Sequence, residues 1–382
     1  MKIGVVSHLY PTQKNPTAGI FVKDELDFLS KYVDLSLISP VPTRYWFEKR
    51  YYLAGQTHYA VKRPLTFSFP RYFLQKLYPA SMAYTLKKSG KVFFRDCDII
   101  HAHNAFPEGV ASVKAFGNRF PVMVTVHGSD INMFAVKPHL RFDILTALNS
   151  MKRVICVSNS LAVKLRELDV STHIEMIPNG VNTDLFSPAN RTDACKSLGL
   201  DPDRPRLIFV GNFIEVKGVE YLIRAMPVVM KEYPDCELIL LGARPGSNDF
   251  NKYDKLIGSS NIKKAVKIVM MTPHDNLPSW MNASDLLVLP SIHEGFGLVA
   301  AEALACGLPV VATKSGGPED IVTDGLGMLV PPKNHEALGE GIVNVLDGAG
   351  IVSSEMMVKS IKSRFSYDTI SQKIVAVYKS IL

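Results

Sequence analysis

Cysteine is scarce and badly spaced for cross-linking. Five residues in 382 (Cys97, Cys156, Cys195, Cys236 and Cys306), an odd number without a C-x-x-C pair, exclude a disulfide framework and a zinc ribbon. No run approaches the roughly 18 apolar residues of a membrane span, because Glu302 and Pro309 interrupt the most apolar stretch, 296–312. The apolar start, 3–6, is too short for a secretory leader, and His8, Pro11 and Lys14 follow at once. Reduced thiols and a cytoplasmic location are therefore expected. No G-x-G-x-x-G follows the first apolar run, which speaks against a nicotinamide dehydrogenase. Repeats and low-complexity tracts are missing, so a solenoid and a disordered chain are excluded too.

Acidic residues are also scarce, but only in one place. The whole chain carries +7, yet the window 41–95 holds eleven basic residues against Glu48 alone, so the remainder is slightly acidic. The same window has 14 of the aromatics, among them Trp46, Tyr51 and Tyr52. A basic, aromatic surface suits an anionic membrane or nucleic acid; a solvated basic face over core aromatics is the plain alternative. No nucleic-acid-binding module is recognisable in it.

Hydrophobic residues make up 47%, ample for cores, and at about 150 residues per domain the length predicts two or three units. Short β-branched and aliphatic runs alternate with amphipathic stretches, the pattern of βαβ units around parallel sheets. In the first half the runs are 3–7, 35–39, 99–102, 122–126 and 154–157. The pattern restarts with 207–210, 237–241, 266–269, 286–289, 310–313 and 327–330. Pro188, Pro202 and Pro205 punctuate a polar seam at 187–206. The expected fold class is α/β, with two doubly wound Rossmann-like domains, 1–187 and 188–365, facing a central cleft. Ile370, Ile374, Val377 and Tyr378 have helical spacing in the last stretch, 366–382. Ligands of such sheets sit at the carboxyl ends of the strands, so the loops after the runs are where chemistry is sought.

The segment 290–309 is the richest of these loops. Gly295 and Gly297 free the backbone to approach a ligand, and the helix they introduce offers unpaired N–H groups to phosphate oxygens. Glu302 lies about one and a half turns into that helix, where a carboxylate beside a phosphate is tolerable if it accepts hydroxyl hydrogen bonds, as from a ribose. Glu294 precedes the helix. Lys217, before Gly218, is a cation at a helix start, an unfavourable place that implies an anion nearby.

Taken together, the E-x7-E block Glu294/Glu302 with its glycines, the loop 210–218, Ala283-Ser-Asp285, Ile177-Pro-Asn179-Gly180 and His127-Gly-Ser-Asp130 resemble the family 4 retaining glycosyltransferases of GT-B fold. The resemblance covers nearly the whole chain. It implies a nucleotide-diphosphate sugar as donor, bound by the C-terminal domain, and an N-terminal acceptor-side domain joined by the last helix. Lys217 would neutralise the diphosphate, aided by the amides of Gly295, Phe296, Gly297 and Leu298. Glu302 would hold the ribose, and Glu294 the transferred sugar. Gly19 would let the N-terminal domain close on the donor phosphate, and His127 would line the sugar site, with His103 a possible acceptor-side residue. Asn212 stands where the family usually has Arg, which Arg244 could offset, and Met271 replaces a usual glycine near the base. The family's chemistry implies front-face transfer without a resident cofactor or metal. Asp96/Asp98 and Asp201/Asp203, each D-x-D, read as turn and strand-entry residues.

The segments 7–21 and 39–42 resemble members that build cell-surface polysaccharides on lipid carriers. A glycan or lipid-linked acceptor is thus expected, at the cytoplasmic face of a membrane that the window 41–95 could dock on. The rival within the same architecture is a non-transferring enzyme such as a nucleotide-sugar 2-epimerase.

Overall fold

The computed structural model describes residues 1–45, 47, 57–68, 72–243, 247–270, 272–323 and 325–382. The chain divides into two compact units, Met1–Gly180 with Tyr367–Leu382, and Val181–Ser366. The division falls earlier than the prolines suggest. Val181 donates its N–H to the carbonyl of Phe365 at 2.7 Å and bridges to Ser366, and Phe186 is buried with its ring 5.1 Å from that of His274. Hydrogen bonding and apolar anchoring tie 181–187 to the second unit, and proline content marks only the loop that follows.

The first unit holds β1 (Lys2–Val6), β2 (Asp34–Ile38), β3 (Val41–Pro42), β4 (Ala60–Lys62), β5 (Leu65–Thr66), β6 (Ile99–His103), β7 (Val122–Val126), β8 (Arg153–Cys156) and β9 (Ile174–Met176). Seven of these form a parallel sheet in the order β4-β2-β1-β6-β7-β8-β9, and β3 pairs with β5. Both β6 and β7 are buried along their length, the mark of strands covered on both faces, so the histidines of β6 lie inside the protein. The helix Tyr367–Ile381 buries Ile370, Ile374, Val377 and Tyr378 in one core with Ile3, Val5 and Leu26. At about 1.5–3 kcal/mol for each large apolar side chain buried, that helix is integral to the unit.

The second unit contains β10 (Arg206–Val210), β11 (Glu237–Ala243), β12 (Val266–Met270), β13 (Leu286–Leu289), β14 (Val310–Thr313) and β15 (Gly327–Val330). These are parallel, in the order β12-β11-β10-β13-β14-β15. In both units the strand order reverses beside the first strand, at β1/β6 and at β10/β13. Such switch points open a crevice at the carboxyl ends of the strands. Every run expected from the sequence is a strand, and the structure adds the short β3, β4, β5 and β9. Among the described residues no helix is long and apolar enough to cross a membrane.

Candidate active site

The two loops leaving β10 and β13 meet at the switch point. After β10 the chain makes a short turn, Glu215–Lys217, and enters the helix Val219–Glu232 at Gly218; after β13 it enters the helix Leu298–Ala305 at Gly297. Gly218 has φ +66°, and a Cβ there would lie 1.9 Å from the carbonyl oxygen of Pro290. Only a hydrogen fits between the loops. Ile292 then donates its N–H to the carbonyl of Val216 at 2.8 Å. This contact brings Lys217 Nζ to 2.6 Å from Glu294 Oε2, which also accepts from Ser291 Oγ at 3.1 Å. The backbone of Glu294 is pinned to the loop after β14 through Ser315 O at 2.9 Å and Gly317 N at 3.0 Å.

The helix Leu298–Ala305 opens at Gly297, with φ +91° and no side-chain cap; Ala300 N–H turns back to Gly297 O at 2.8 Å, which leaves the amides ahead of it to an anion. Gly295 and Leu298 flank this opening. Phe296 contributes only its backbone, because its side chain is buried and packs edge-on against Phe365 at 5.6 Å. Glu302 is buried inside the helix, and its Oε1 lies 2.8 Å from His274 Nε2. A buried carboxylate needs such a partner. His274 was not singled out by sequence; its signal was a histidine directly after Pro273 in the loop that follows β12. The buried carboxylate also marks Cys306, whose thiol is pushed up to about 12 by burial and by Glu302.

Asn212 is exposed in the loop after β10. Arg244 and Met271 lie outside the described residues. Asp285 works at the opposite end of the sheet, where Arg191 grips it at 2.7 and 2.9 Å and the N–H of Arg206 donates to it at 2.7 Å. The D-x-D aspartates are engaged locally: Asp96 by Arg95, Asp98 by the N–H of Lys2 and Asp201 by the N–H of Asp203. Among the described residues no group of three or more His, Cys, Asp or Glu is placed to hold a metal ion.

In the first unit, His101, His103 and His127 stack in a row, with ring centroids 4.7 and 5.4 Å apart. The parallel register of β6 with β7 sets this up, since His103 pairs with Thr125 and His127 follows two residues later on the same face. His101 is held by Tyr378 OH at 2.7 Å and Thr125 Oγ1 at 2.8 Å, and burial lowers it to about 3. Burial lowers His127 to about 4, against the opposing effect of the Asn179 side chain. Asp130 organises the loop carrying His127: it accepts from the N–H of Ala105 at 2.8 Å, Gly128 at 2.9 Å and Ile131 at 3.1 Å. Gly19 caps the helix Ile20–Leu29 with φ +65°, and a Cβ there would lie 2.3 Å from Leu9 O, so close packing within the unit already demands glycine.

Beside this row, His8, Tyr78, Asn104, Phe106, Ser129 and Phe134 line a cavity of about 430 Å³. The rings of Phe106 and Phe134 stack at 5.1 Å. Asn104 is buried at φ +77°, and its Nδ2 has no hydrogen-bond partner among the described residues. A residue held at such φ with an unsatisfied donor is the kind of strain found at ligand sites.

Two family models match the chain in succession, "Glycosyltransferase Family 4" over residues 31–185 and "Glycosyl transferases group 1" over 190–364. The teichuronic acid biosynthesis glycosyltransferase TuaC of Bacillus subtilis is 27% identical, over 90% of this chain and 88% of that protein. Among solved structures, a sucrose-phosphate synthase from Thermosynechococcus elongatus superposes with a TM-score of 0.84 at 21% identity, covering 100% of this chain and 99% of its own. Anabaena HepE in complex with UDP gives 0.76 at 22% identity, with both chains fully covered.

Proposed function

The chain belongs to the family 4 glycosyltransferases of GT-B fold, and we propose that it transfers a hexose or N-acetylhexosamine, with retention, from a nucleotide-diphosphate sugar to a saccharide or lipid-linked saccharide in surface glycan synthesis. The observation that carries this reading is Lys217 beside Glu294 at the β10/β13 switch point, next to the open start of Leu298–Ala305. A leaving diphosphate gains charge as the glycosidic bond breaks. A fixed lysine and helix amides stabilise that charge without reorganising. The UDP in HepE supports a uridine nucleotide as the first donor to try.

Glu302, oriented by His274, accepts the ribose hydroxyls. Glu294 meets the transferred sugar through its polar contact and does not serve as a nucleophile, since Oε2 is already engaged by Lys217 and Ser291. In the first unit, we assign sugar contact to His127. The diphosphate is neutralised by Lys217 and the helix start rather than by a metal; activity that vanishes in chelator and returns with magnesium would overturn this.

The cavity beside the histidine row supports a saccharide acceptor, with Phe106 and Phe134 offering apolar ring faces and Asn104 Nδ2 a free donor. A lipid carrier is supported by the exposed Phe67, Leu74, Leu77 and Tyr84 among the exposed Lys76, Lys87 and Lys88. Trp46, Tyr51 and Tyr52 of the same window lie outside the described residues. This surface docks on the cytoplasmic leaflet, and flotation with anionic but not neutral liposomes checks it.

The deciding experiment incubates the chain with uridine and guanosine diphosphate sugars, with and without a lipid-linked saccharide. Acceptor-dependent release of the nucleotide and an α-linked product from an α-donor are expected. An epimerised donor in the absence of acceptor, or an inverted linkage, would count against the reading.

A further inference from the structure

His103, the middle ring of the imidazole row, links His127 to a buried carboxyl group. Glu25, on the helix Ile20–Leu29, is only 3% exposed, and its Oε1 lies 3.7 Å from His103 Nε2. Neither atom has a hydrogen-bond partner among the described residues. Across the same ring, His103 Nδ1 is 3.2 Å from His127 Nε2; His127 Nδ1 is buried and makes no well-formed hydrogen bond among the described residues, with the Asn179 side chain the polar group that acts on this imidazole. The surrounding groups are committed elsewhere. His101 is held by Tyr378 and Thr125, and Lys23 pairs with Asp27 at 2.6 Å on the same helix as Glu25.

A neutral imidazole has one N–H and one lone pair, so a proton fixed at one end of such a line fixes every nitrogen after it. Burial keeps His103 and His127 neutral and pushes Glu25 up to about 8. With Glu25 protonated, its O–H faces the lone pair of His103 Nε2, His103 Nδ1–H donates to His127 Nε2, and His127 carries its hydrogen on Nδ1. With Glu25 ionised, each of these bonds reverses and His127 Nδ1 is a bare lone pair.

We propose that protonated Glu25 is a positioning residue that acts through His103 to hold His127 as its Nδ1–H tautomer, which fixes the orientation and donor character of the imidazole toward the sugar. The 3.7 Å gap is longer than a hydrogen bond and closes with a carboxyl shift of about 1 Å, as contacts in unliganded sites commonly do. The role in transfer rests on His127 being the sugar-facing group.

The tautomer is readable without substrate, by long-range ¹H–¹⁵N correlation on the full chain carrying ¹⁵N-histidine at pH near 7, with H127N identifying the signals. His127 is expected to show a pyrrole-type Nδ1 and a pyridine-type Nε2. E25Q, which keeps an uncharged donor, should retain this pattern. E25M fills the space without a donor; the pattern should become mixed, and kcat should fall about tenfold with the donor KM within about twofold. In H103N the imidazole that links residue 25 to His127 is gone, so the His127 tautomer should no longer respond to E25M. An Nε2–H pattern in the wild type, or an E25M chain with tautomer and kcat unchanged, overturns the proposal. If E25M does not fold, E25A, which removes the donor without adding bulk, takes its place under the same outcomes. The expected tautomer in a chain that transfers no sugar refutes the functional reading and leaves the relay standing; transfer with the opposite tautomer refutes the relay only.

Discussion

Replacing Glu294 by Gln should tighten binding of a free nucleoside diphosphate while abolishing transfer. Lys217 Nζ sits 2.6 Å from Glu294 Oε2, so a phosphate oxygen that pairs with the same ammonium must share it with the carboxylate. At a charged hydrogen-bond length of about 2.8 Å and a tetrahedral angle at nitrogen, the two anionic oxygens stand roughly 4.4 Å apart. Their repulsion is about 4 kcal/mol at an effective dielectric of about 20 and about 1 in water. Side-chain exposures of 26% for Lys217 and 13% for Glu294 put the site between these limits. A net relief of about 1–2 kcal/mol, or roughly 5- to 30-fold tighter binding, follows after screening. Titration calorimetry with UDP on wild type and E294Q, at two salt concentrations, measures it, and the gain should shrink as salt rises. Weaker UDP binding in E294Q would mean that the carboxylate orients the lysine more than it competes with the phosphate, and the charge argument would be wrong.

Three further outcomes are expected. Gly218→Ala adds a Cβ 1.9 Å from Pro290 O at φ +66°, combining a left-handed cost of about 1–2 kcal/mol with an overlap relieved only by parting the loops. UDP affinity should drop at least about tenfold, and an unchanged value refutes the loop contact as an organiser of the site. His274→Ala should raise the donor KM roughly 5- to 30-fold by leaving Glu302 buried and unpaired, with partial recovery in H274Q; equal KM values would show that Glu302 needs no partner. The stability profile should follow Glu25 and the histidines in opposite directions. Glu25, about 8 when folded and 4.5 as a free group, holds a proton in the folded chain that the unfolded chain has released, so stability falls as pH rises through that window. His101 and His127, depressed to about 3 and about 4 from 6.5, bind protons more readily when unfolded, so stability is lost as pH falls below 6.5. Melting curves across pH for wild type and E25Q should diverge on the alkaline side, and a constant offset would contradict the burial of an ionisable Glu25.

The alternation of apolar runs made the sheets legible because strands covered on both faces cannot hide their hydrophobicity. β4 and β9 escaped notice because three-residue edge strands need little apolar surface. Lys217, Glu294 and Glu302 stood out through their glycines, yet the pairing of Lys217 with Glu294 spans 77 positions and follows only from the meeting of two loops. Glu25 was invisible for a different reason. Flanked by Asp24 and Asp27 on an amphipathic helix, it looks like one more solvated acid, and only the packing of that helix on the sheet turns it inward. Phe296 shows the limit of the same reading, since its expected contribution is a backbone amide while its side chain belongs to the core.

The helix Tyr367–Ile381 has a consequence for synthesis. Residues leave the ribosome in order, so Val181–Ser366 is complete and free to fold while the first unit still lacks Ile370, Ile374, Val377 and Tyr378. Until Tyr378 arrives, His101 has no partner for Nδ1 and an apolar strip of the first unit stays open to solvent and to chaperones. A nascent chain or premature-stop product therefore holds a finished second unit and an unfinished first one. The first unit therefore closes only after residues 367–381 have emerged, which leaves an interval in which a defective copy can be recognised through its open core.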